Sequence, residues 1–218
     1  MFEIERSGTV WIIRMSNGEN RFNRASVDAL HGHLDEIEGQ PAPLAVVTTG
    51  EGKFYSNGLD LDWMAGAGDD AGPMVADVER LLGRLLRLPV LTVAAVNGHA
   101  FAAGAMLASS HDFLVMREDR GYWCLPEVDL GLPLTDAMYA VLAAKLPHAT
   151  LHDAILTGRR YDAAAAFAAG IAHHVVPEDL VLATAVELAT SLADKNKAVV
   201  AEHKRLMYAA AAEVCAVH

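Results

Sequence analysis

The run Val96-Asn97-Gly98-His99-Ala100-Phe101-Ala102-Ala103-Gly104-Ala105-Met106 constrains this chain more than any other segment. It lies at the centre of the stretch 88–132. Apolar, β-branched residues 90–96 read as a buried strand, and the Asn97-Gly98 pair breaks it. Tiny residues follow and lead into a helix-like segment ending near Ser110-His111-Asp112. Small side chains at a strand-to-helix junction leave backbone N–H groups open to a ligand, and the helix dipole favours negative charge there. The junction therefore reads as an oxyanion site. An alanine-rich chain makes small-residue runs by chance, so the reading leans on the Asn-Gly break and on the loop at 55–60. Further along, Glu127 stands as an acid among apolar neighbours in Leu125-Pro126-Glu127-Val128. An oxyanion site and one semi-buried carboxylate together can move a proton next to a carbonyl.

A chain of 218 residues can bury a sizeable core as one domain. With 53% hydrophobic and 21% charged residues it reads as globular rather than disordered. Its net charge of −11 argues against nucleic acid or an anionic membrane as partner. Cys124 and Cys215 cannot build a disulfide framework and read as two reduced thiols. Met1-Phe2-Glu3-Ile4-Glu5-Arg6 lacks the basic start and apolar run of a leader. The most apolar region, 88–109, is interrupted by Asn97, Gly98 and His99, so it reads as a strand and helix rather than a membrane span. The expected location is cytoplasmic.

Residues 2–5 and 10–13, joined through Ser7-Gly8, predict an opening β-hairpin. Val27, Leu30, Leu34 and Ile37 recur at helical spacing and predict a helix stopped by Gly39. Residues 44–49 predict a buried strand, 50–58 a loop, and Asp60 the cap of a short helix. Residues 66–73 are the one flexible-looking segment. Val78, Leu81, Leu82, Leu85 and Leu86 predict a helix that ends before Pro89. Short strands are expected at 113–116, 122–125 and 171–176, and helices at 137–146, 148–156, 163–169 and twice after Pro177. Strands alternate with helices early and helices dominate late, which is α/β with parallel strands and a helical tail. No internal sequence repeat is visible.

Three stretches resemble the crotonase (enoyl-CoA hydratase/isomerase) superfamily. Tyr55-Ser56-Asn57-Gly58-Leu59-Asp60-Leu61 is similar to its first oxyanion loop, and Asn97-Gly98-His99-Ala100-Phe101-Ala102-Ala103-Gly104 to its second. Pro126-Glu127-Val128-Asp129-Leu130-Gly131-Leu132 is similar to the segment carrying a catalytic glutamate, and residues 157–162 through 170–172 to the later helix-turn-strand region. The resemblance spans roughly 10–177. It implies a crotonase-type spiral of ββα repeats followed by C-terminal helices, with a core at 1–177 and a helical segment at 178–218 in the same unit. It also implies a homotrimer or dimer of trimers and an acyl-coenzyme A thioester as substrate, with no cofactor beyond the coenzyme A of that substrate.

Hydratases of this superfamily use two glutamates, the first three positions after the second oxyanion donor. With Ala103 as that donor the position falls on Met106, which cannot hold or activate water. A single glutamate resembles the Δ3,Δ2-enoyl-CoA isomerases, most of all the plant peroxisomal type and its bacterial relatives. The resemblance makes Glu127 the acid/base and the backbone N–H groups of Asn57 and Ala103 the oxyanion hole. It places Ser56, Gly58, Asp60, Leu61, Met64, Gly104, Met106 and Leu132 at the substrate. The chain ends early compared with typical hydratases. A hydratase, a thioester hydrolase or a non-catalytic acyl-CoA binder are the alternative readings, the last betrayed by a Glu127 pointing away from the oxyanion donors.

Other residues carry rival or plainer readings. Asp129 is a second acid that an extended segment would turn to the same side as Glu127. His99 and His111 near the site read as packed or capping histidines. The pairs His31/His33 and His173/His174 have no Cys, Asp or Glu at ligand spacing, so no metal site is expected. Trp63 reads equally as pocket wall or core, and Lys53 and Arg21 as solvated charge. No dinucleotide fingerprint, phosphate loop or serine elbow is present.

Overall fold

The computed structural model describes residues 2–216. Strands β1 (Phe2–Ser7) and β2 (Val10–Met15) form the expected antiparallel hairpin and lead into α1 (Arg24–Glu38). Three similar units follow. The first is β3 (Ala45–Gly50), β4 (Phe54–Ser56) and the helices α2 (Leu61–Gly66) and α3 (Ala71–Arg87). The second is β5 (Leu91–Val96), β6 (His99–Phe101) and α4 (Ala103–Ser109); the third is β7 (Phe113–Arg117), β8 (Trp123–Cys124) and α5 (Glu127–Leu130). Each unit gives its first strand to a large sheet and its second to a small one. After α6 (Asp136–Lys145), α7 (His148–Thr157) and α8 (Ala163–Ala168), β9 (His174–Val176) completes the large sheet in the order β1-β2-β3-β5-β7-β9. The small sheet is β4-β6-β8, and beyond the opening hairpin every named pairing is parallel. This is the spiral of ββα repeats, repeating in structure although not visibly in sequence.

Every residue of β3 is buried because the large sheet is covered on both faces, so β3 and β5 read as mostly apolar runs, broken only by Thr48, Thr49 and Thr92 and by the closing Gly50, rather than as an alternating pattern. Val10, Ile12, Ala45, Val47, Val93, Ala95 and Val115 face the helix α9 (Val181–Leu192) through Val181, Ala185 and Ala189. The alternate residues, among them Ile13, Met15, Val46, Ala94 and Met116, join the larger core under α1, α3 and α4. The last helix, α10 (Lys197–Ala216), is tied down by Lys204, whose Nζ lies 2.6 Å from Asp112 Oδ2 and donates to the Val90 carbonyl at 2.7 Å. The expected segment 178–218 is therefore helical as far as Ala216; Val217 and His218, like Met1, lie outside the described residues. No helix among the described residues is long and apolar enough to cross a membrane.

Four local expectations change. Residues 66–73 are not a loose loop: a 3-10 turn at Gly68–Asp70 runs straight into α3. Pro73 sits in the first turn of α3, where its missing N–H is not needed. The loop at 50–58 contains β4, and the strands expected at 122–125 and 171–176 shorten to Trp123–Cys124 and His174–Val176. Residues 127–130 form a helical turn rather than an extended segment.

His111 is a packed core histidine. Its ring Nδ1 lies 2.8 Å from the Leu107 carbonyl, and Nε2 lies 3.0 Å from Thr48 Oγ1, itself 2.6 Å from Tyr55 Oη. Burial pushes its pKa down to about 4. A histidine held neutral in the fold but free to charge when unfolded binds fewer protons in the native state, so stability falls as pH drops from 6.5 towards 4. Unfolding free energy should lose ~3 kcal/mol over that window from this residue alone. Chemical denaturation of wild type and His111→Gln at pH 7 and pH 4 measures it; the variant should lose less on acidification.

Candidate active site

The segment before α1 clamps the first oxyanion loop. Asn20, buried and left-handed at φ 52°, donates from Nδ2 to the carbonyls of Phe54 and Tyr55, both at 3.1 Å. Phe22 N–H donates to Gly58 O at 2.8 Å, and Asp60 N–H to Phe22 O at 2.9 Å. Ser56 Oγ donates to Asn20 O at 2.8 Å, and Asp60 caps α2 by accepting from Trp63 N–H. The Asn57 N–H, expected to serve the oxyanion, donates instead to the Glu19 carbonyl at 2.9 Å. The N–H two residues on, at Leu59, has no acceptor among the described residues.

The second loop is pressed against the first. Gly58 has φ +80°, and a Cβ there would sit 2.9 Å from Ala102 Cβ and 3.1 Å from Ala103 N. A Cβ on Gly104 would sit 2.3 Å from the Ser56 carbonyl oxygen. These two glycines let Leu59 and Ala103 come together. Ala102, at φ 51° and ψ −127°, holds a conformation costly for a residue with a side chain. It donates to Cys124 O at 3.0 Å and accepts from Met106 N–H at 3.1 Å. Ala103, the first residue of α4, is left with an unpaired N–H among the described residues, as the start of a helix requires.

Both loops wall a cavity of about 580 Å³. Of the site residues expected from sequence, Asn57, Leu61, Met64, Ala103, Glu127 and Leu132 line it. Ser56, Gly58, Asp60 and Gly104 stand behind the wall, bonding or packing the loops, and Met106 is wholly buried in the core. The wall also takes in Arg21, Leu59, Val75, Phe101, Pro133, Thr135 and Met138. Val75 was within reach, being one helical turn before Val78 on the apolar stripe of α3. Arg21 is the cavity's cation and bonds Glu19 at 2.7 Å and Asp62 at 3.0 Å; Lys53 lines a separate cleft.

Glu127 opens the helical turn α5, with one face to the cavity. Its Oε2 is buried without a hydrogen-bond partner among the described residues. Burial holds its carboxyl above the usual carboxylate range, against the opposing pull of its own backbone N–H. Asp129 does not share the cavity. In a helical turn residues two apart diverge by ~200°, and its Oδ2 lies beside Gly158 at the end of α7. His31 and His33 bond separate backbone carbonyls, of Asp77 and Phe2, and His173 accepts from Leu114 N–H.

The chain matches the family model Enoyl-CoA hydratase/isomerase over residues 5–216, and it belongs to that family. Enoyl-CoA delta isomerase 3 of Arabidopsis thaliana is 38% identical over 206 residues, covering 90% of this chain and 86% of the relative. A putative enoyl-CoA hydratase of Thermus thermophilus is 34% identical over 203 residues, covering 88% and 78%. The apo structure of an enoyl-CoA isomerase from Mycobacterium tuberculosis superposes with a TM-score of 0.91 at 26% identity, covering 98% of this chain and 93% of that one. The crotonase fold and the class of enzyme are thereby fixed.

Proposed function

We propose that this enzyme moves the double bond of a 3-enoyl-CoA thioester into conjugation, with Glu127 as its single proton carrier. The observation that carries this reading is the orphan carboxylate oxygen of Glu127, buried in the wall of the cavity that Leu59 and Ala103 also line. The thioester oxygen accepts from the two unpaired N–H groups of Leu59 and Ala103. Glu127 takes a proton from carbon 2, and the C–H electron pair spreads over a dienolate whose negative oxygen those donors hold. One such donor is typically worth ~3 kcal/mol. The protonated Glu127 returns the proton to carbon 4, so the 3,4 double bond becomes a 2,3 double bond. Atoms and electrons balance without water, oxidant or reductant, and coenzyme A enters only as part of the substrate.

Hydration requires a second carboxylate to hold water. Besides Glu127 the cavity wall offers only Asp62, which is 93% exposed and paired with Arg21 at the mouth. A purely binding role is disfavoured because Glu127 shares the cavity with the donors. The names of the Arabidopsis relatives lend support. The same reading includes assembly as a homotrimer or dimer of trimers and a cytoplasmic setting, which two buried free thiols suit. Mixing the protein with 3-hexenoyl-CoA and following the ultraviolet absorbance of the conjugated thioester should show conversion to the 2-enoyl product. Hydration of 2-hexenoyl-CoA at a comparable rate would sink the isomerase assignment.

A further inference from the structure

At the other end of α4 from the main cavity lies a separate pocket of about 250 Å³. Ala103 opens α4 and lines the main cavity, whereas Ala108 and Ser109 close the helix and line this pocket. The rest of its wall comes from β7, the end of α6, the segment after α8, and α10. No acidic side chain lines it. The largest cavity, about 680 Å³ between α1, α3 and α10, is built differently: there Arg24, Arg80 and Arg84 are paired with Asp28, Asp77 and Asp35.

Three side-chain donors of the smaller pocket are not used up. Lys145 is half-buried and has no ion-pair partner among the described residues. Its Nζ donates only to Tyr208 Oη, at 3.3 Å, and lies 5.2 Å from the centre of that ring. Tyr208, in accepting, keeps its own hydroxyl proton to give. His173 Nδ1 accepts from Leu114 N–H at 3.1 Å, so the neutral ring carries its proton on Nε2, which has no acceptor among the described residues. Although α4, α6 and α8 all end near the pocket, none of their carbonyls accepts from Lys145. Lys204 is paired with Asp112 at 2.6 Å, so the cluster of two lysines and one carboxylate keeps one positive charge in excess. Its neighbours register that charge. Burial lowers the Lys145 pKa against the pull of Asp112, and Lys204 lowers it further. The His173 pKa is lowered by burial, then by Lys145 and His174. His111 adds no free donor, since its two ring nitrogens are engaged by Leu107 O and Thr48 Oγ1.

A cation withdrawn from water is costly until an opposite charge offsets the loss of hydration. We propose that this pocket binds a short-chain carboxylate, whose head group accepts from Lys145, Tyr208 and His173 and whose alkyl body packs on Leu114, Leu146 and Ile171. A monoanion cancels the single excess charge. A phosphate dianion brings a second charge, and its further oxygens face apolar wall without donors. At ~30 Å³ per water-sized group the pocket holds about eight such groups, which admits acids of up to about six carbons. The bound acid bridges α6 to α10. The site is independent of the reaction at Glu127.

Sodium butyrate is the probe, followed by NMR of isotope-labelled methionine methyl groups at constant ionic strength. Met207 reports on this pocket, and Met64 and Met138 report on the main cavity. Butyrate should shift Met207 alone, saturably and in the millimolar range that suits so small a ligand, and should raise the melting temperature. Lys145→Met should weaken binding about 10–100-fold, the effect of losing a charged hydrogen bond. Tyr208→Phe, which keeps the ring, should weaken it about three- to tenfold. Lys145→Met removes a cation without an ion-pair partner, so without ligand it should melt no lower than wild type, and its lost binding is then not misfolding. A Met207 signal unmoved at tens of millimolar butyrate, or a shift that survives Lys145→Met, overturns the site. Shifts at Met64 and Met138 instead of Met207 overturn it in favour of binding in the main cavity. Inorganic phosphate acting on Met207 more tightly than butyrate overturns the carboxylate assignment. None of these readouts uses 3-enoyl-CoA conversion, so failure here and failure of the isomerase reading are told apart.

Discussion

Glu127→Gln should lower kcat for 3-enoyl-CoA conversion by ~10²–10⁴-fold, while the thioester still binds with similar affinity. The carboxamide keeps the shape of the side chain but cannot accept the carbon 2 proton. Nothing else in the cavity replaces it: Asp62 is committed to Arg21 at the mouth, and Asp129 faces the end of α7. Asp129→Asn is accordingly expected to change kcat only slightly. Because burial raises the Glu127 pKa, wild-type activity should rise with pH through a value above the usual carboxylate range, and the variant's residual rate should lack that limb. The same shift has a stability consequence. A carboxyl with a raised native pKa binds more protons folded than unfolded, so its contribution to stability declines as pH rises through the interval between the two pKa values. The variant should thus unfold at a higher temperature than wild type at pH 7, with the gap closing at pH 4. Progress curves and thermal melts at both pH values read all of this. A Glu127→Gln enzyme retaining a tenth of the wild-type rate would take Glu127 out of the mechanism.

The sequence was most legible where periodicity and burial act together. The stripes of α1 and α3 and the mostly apolar runs of β3 and β5 follow from burial against a two-sided sheet. The small-residue junction at Ala102–Gly104 could be read because an open backbone leaves a compositional trace. What could not be read was which N–H in the first loop stays free. That depends on Glu19, Asn20 and Phe22 reaching across from a distant segment to occupy Asn57, Ser56 and Gly58. Local pattern also misjudged residues 66–73 and 127–130. Glycine and proline suggested looseness in the first, and an extended reading of the second placed Asp129 beside Glu127. Tertiary packing made both helical. The apolar hollow that Val128 of α5 and Ile155 and Leu156 of α7 line left no signal either, since those elements meet only through the fold.

Gly104→Ala should cost ~10²–10³-fold in kcat, about the effect of losing one oxyanion donor, although it adds a single methyl group remote from the reacting carbons. The added Cβ would fall 2.3 Å from Ser56 O and 2.8 Å from both Ser56 C and Ser56 Cβ. These are largely backbone atoms, and they cannot swing aside as the tip of a long side chain does. Ser56 is held on its other flank by its hydroxyl to Asn20, and the following loop by Phe22 and Glu19. The strain must therefore be relieved by moving α4 away from the loop, which parts the Ala103 N–H from the Leu59 N–H. Overpacking of this kind also destabilises by ~1–3 kcal/mol, so the melting temperature should fall together with kcat. Gly66→Ala is the matched control: a Cβ there meets nothing within 4 Å, and the residue is helical, so rate and stability should hold. The two loops also bear on binding, since a parted donor pair holds the ground-state thioester carbonyl less well; yet the charge on oxygen develops mainly in the dienolate. The fall in kcat should therefore exceed the rise in KM. A Gly104→Ala enzyme that is folded and fully active would mean that the Leu59 and Ala103 N–H groups do not stabilise the intermediate.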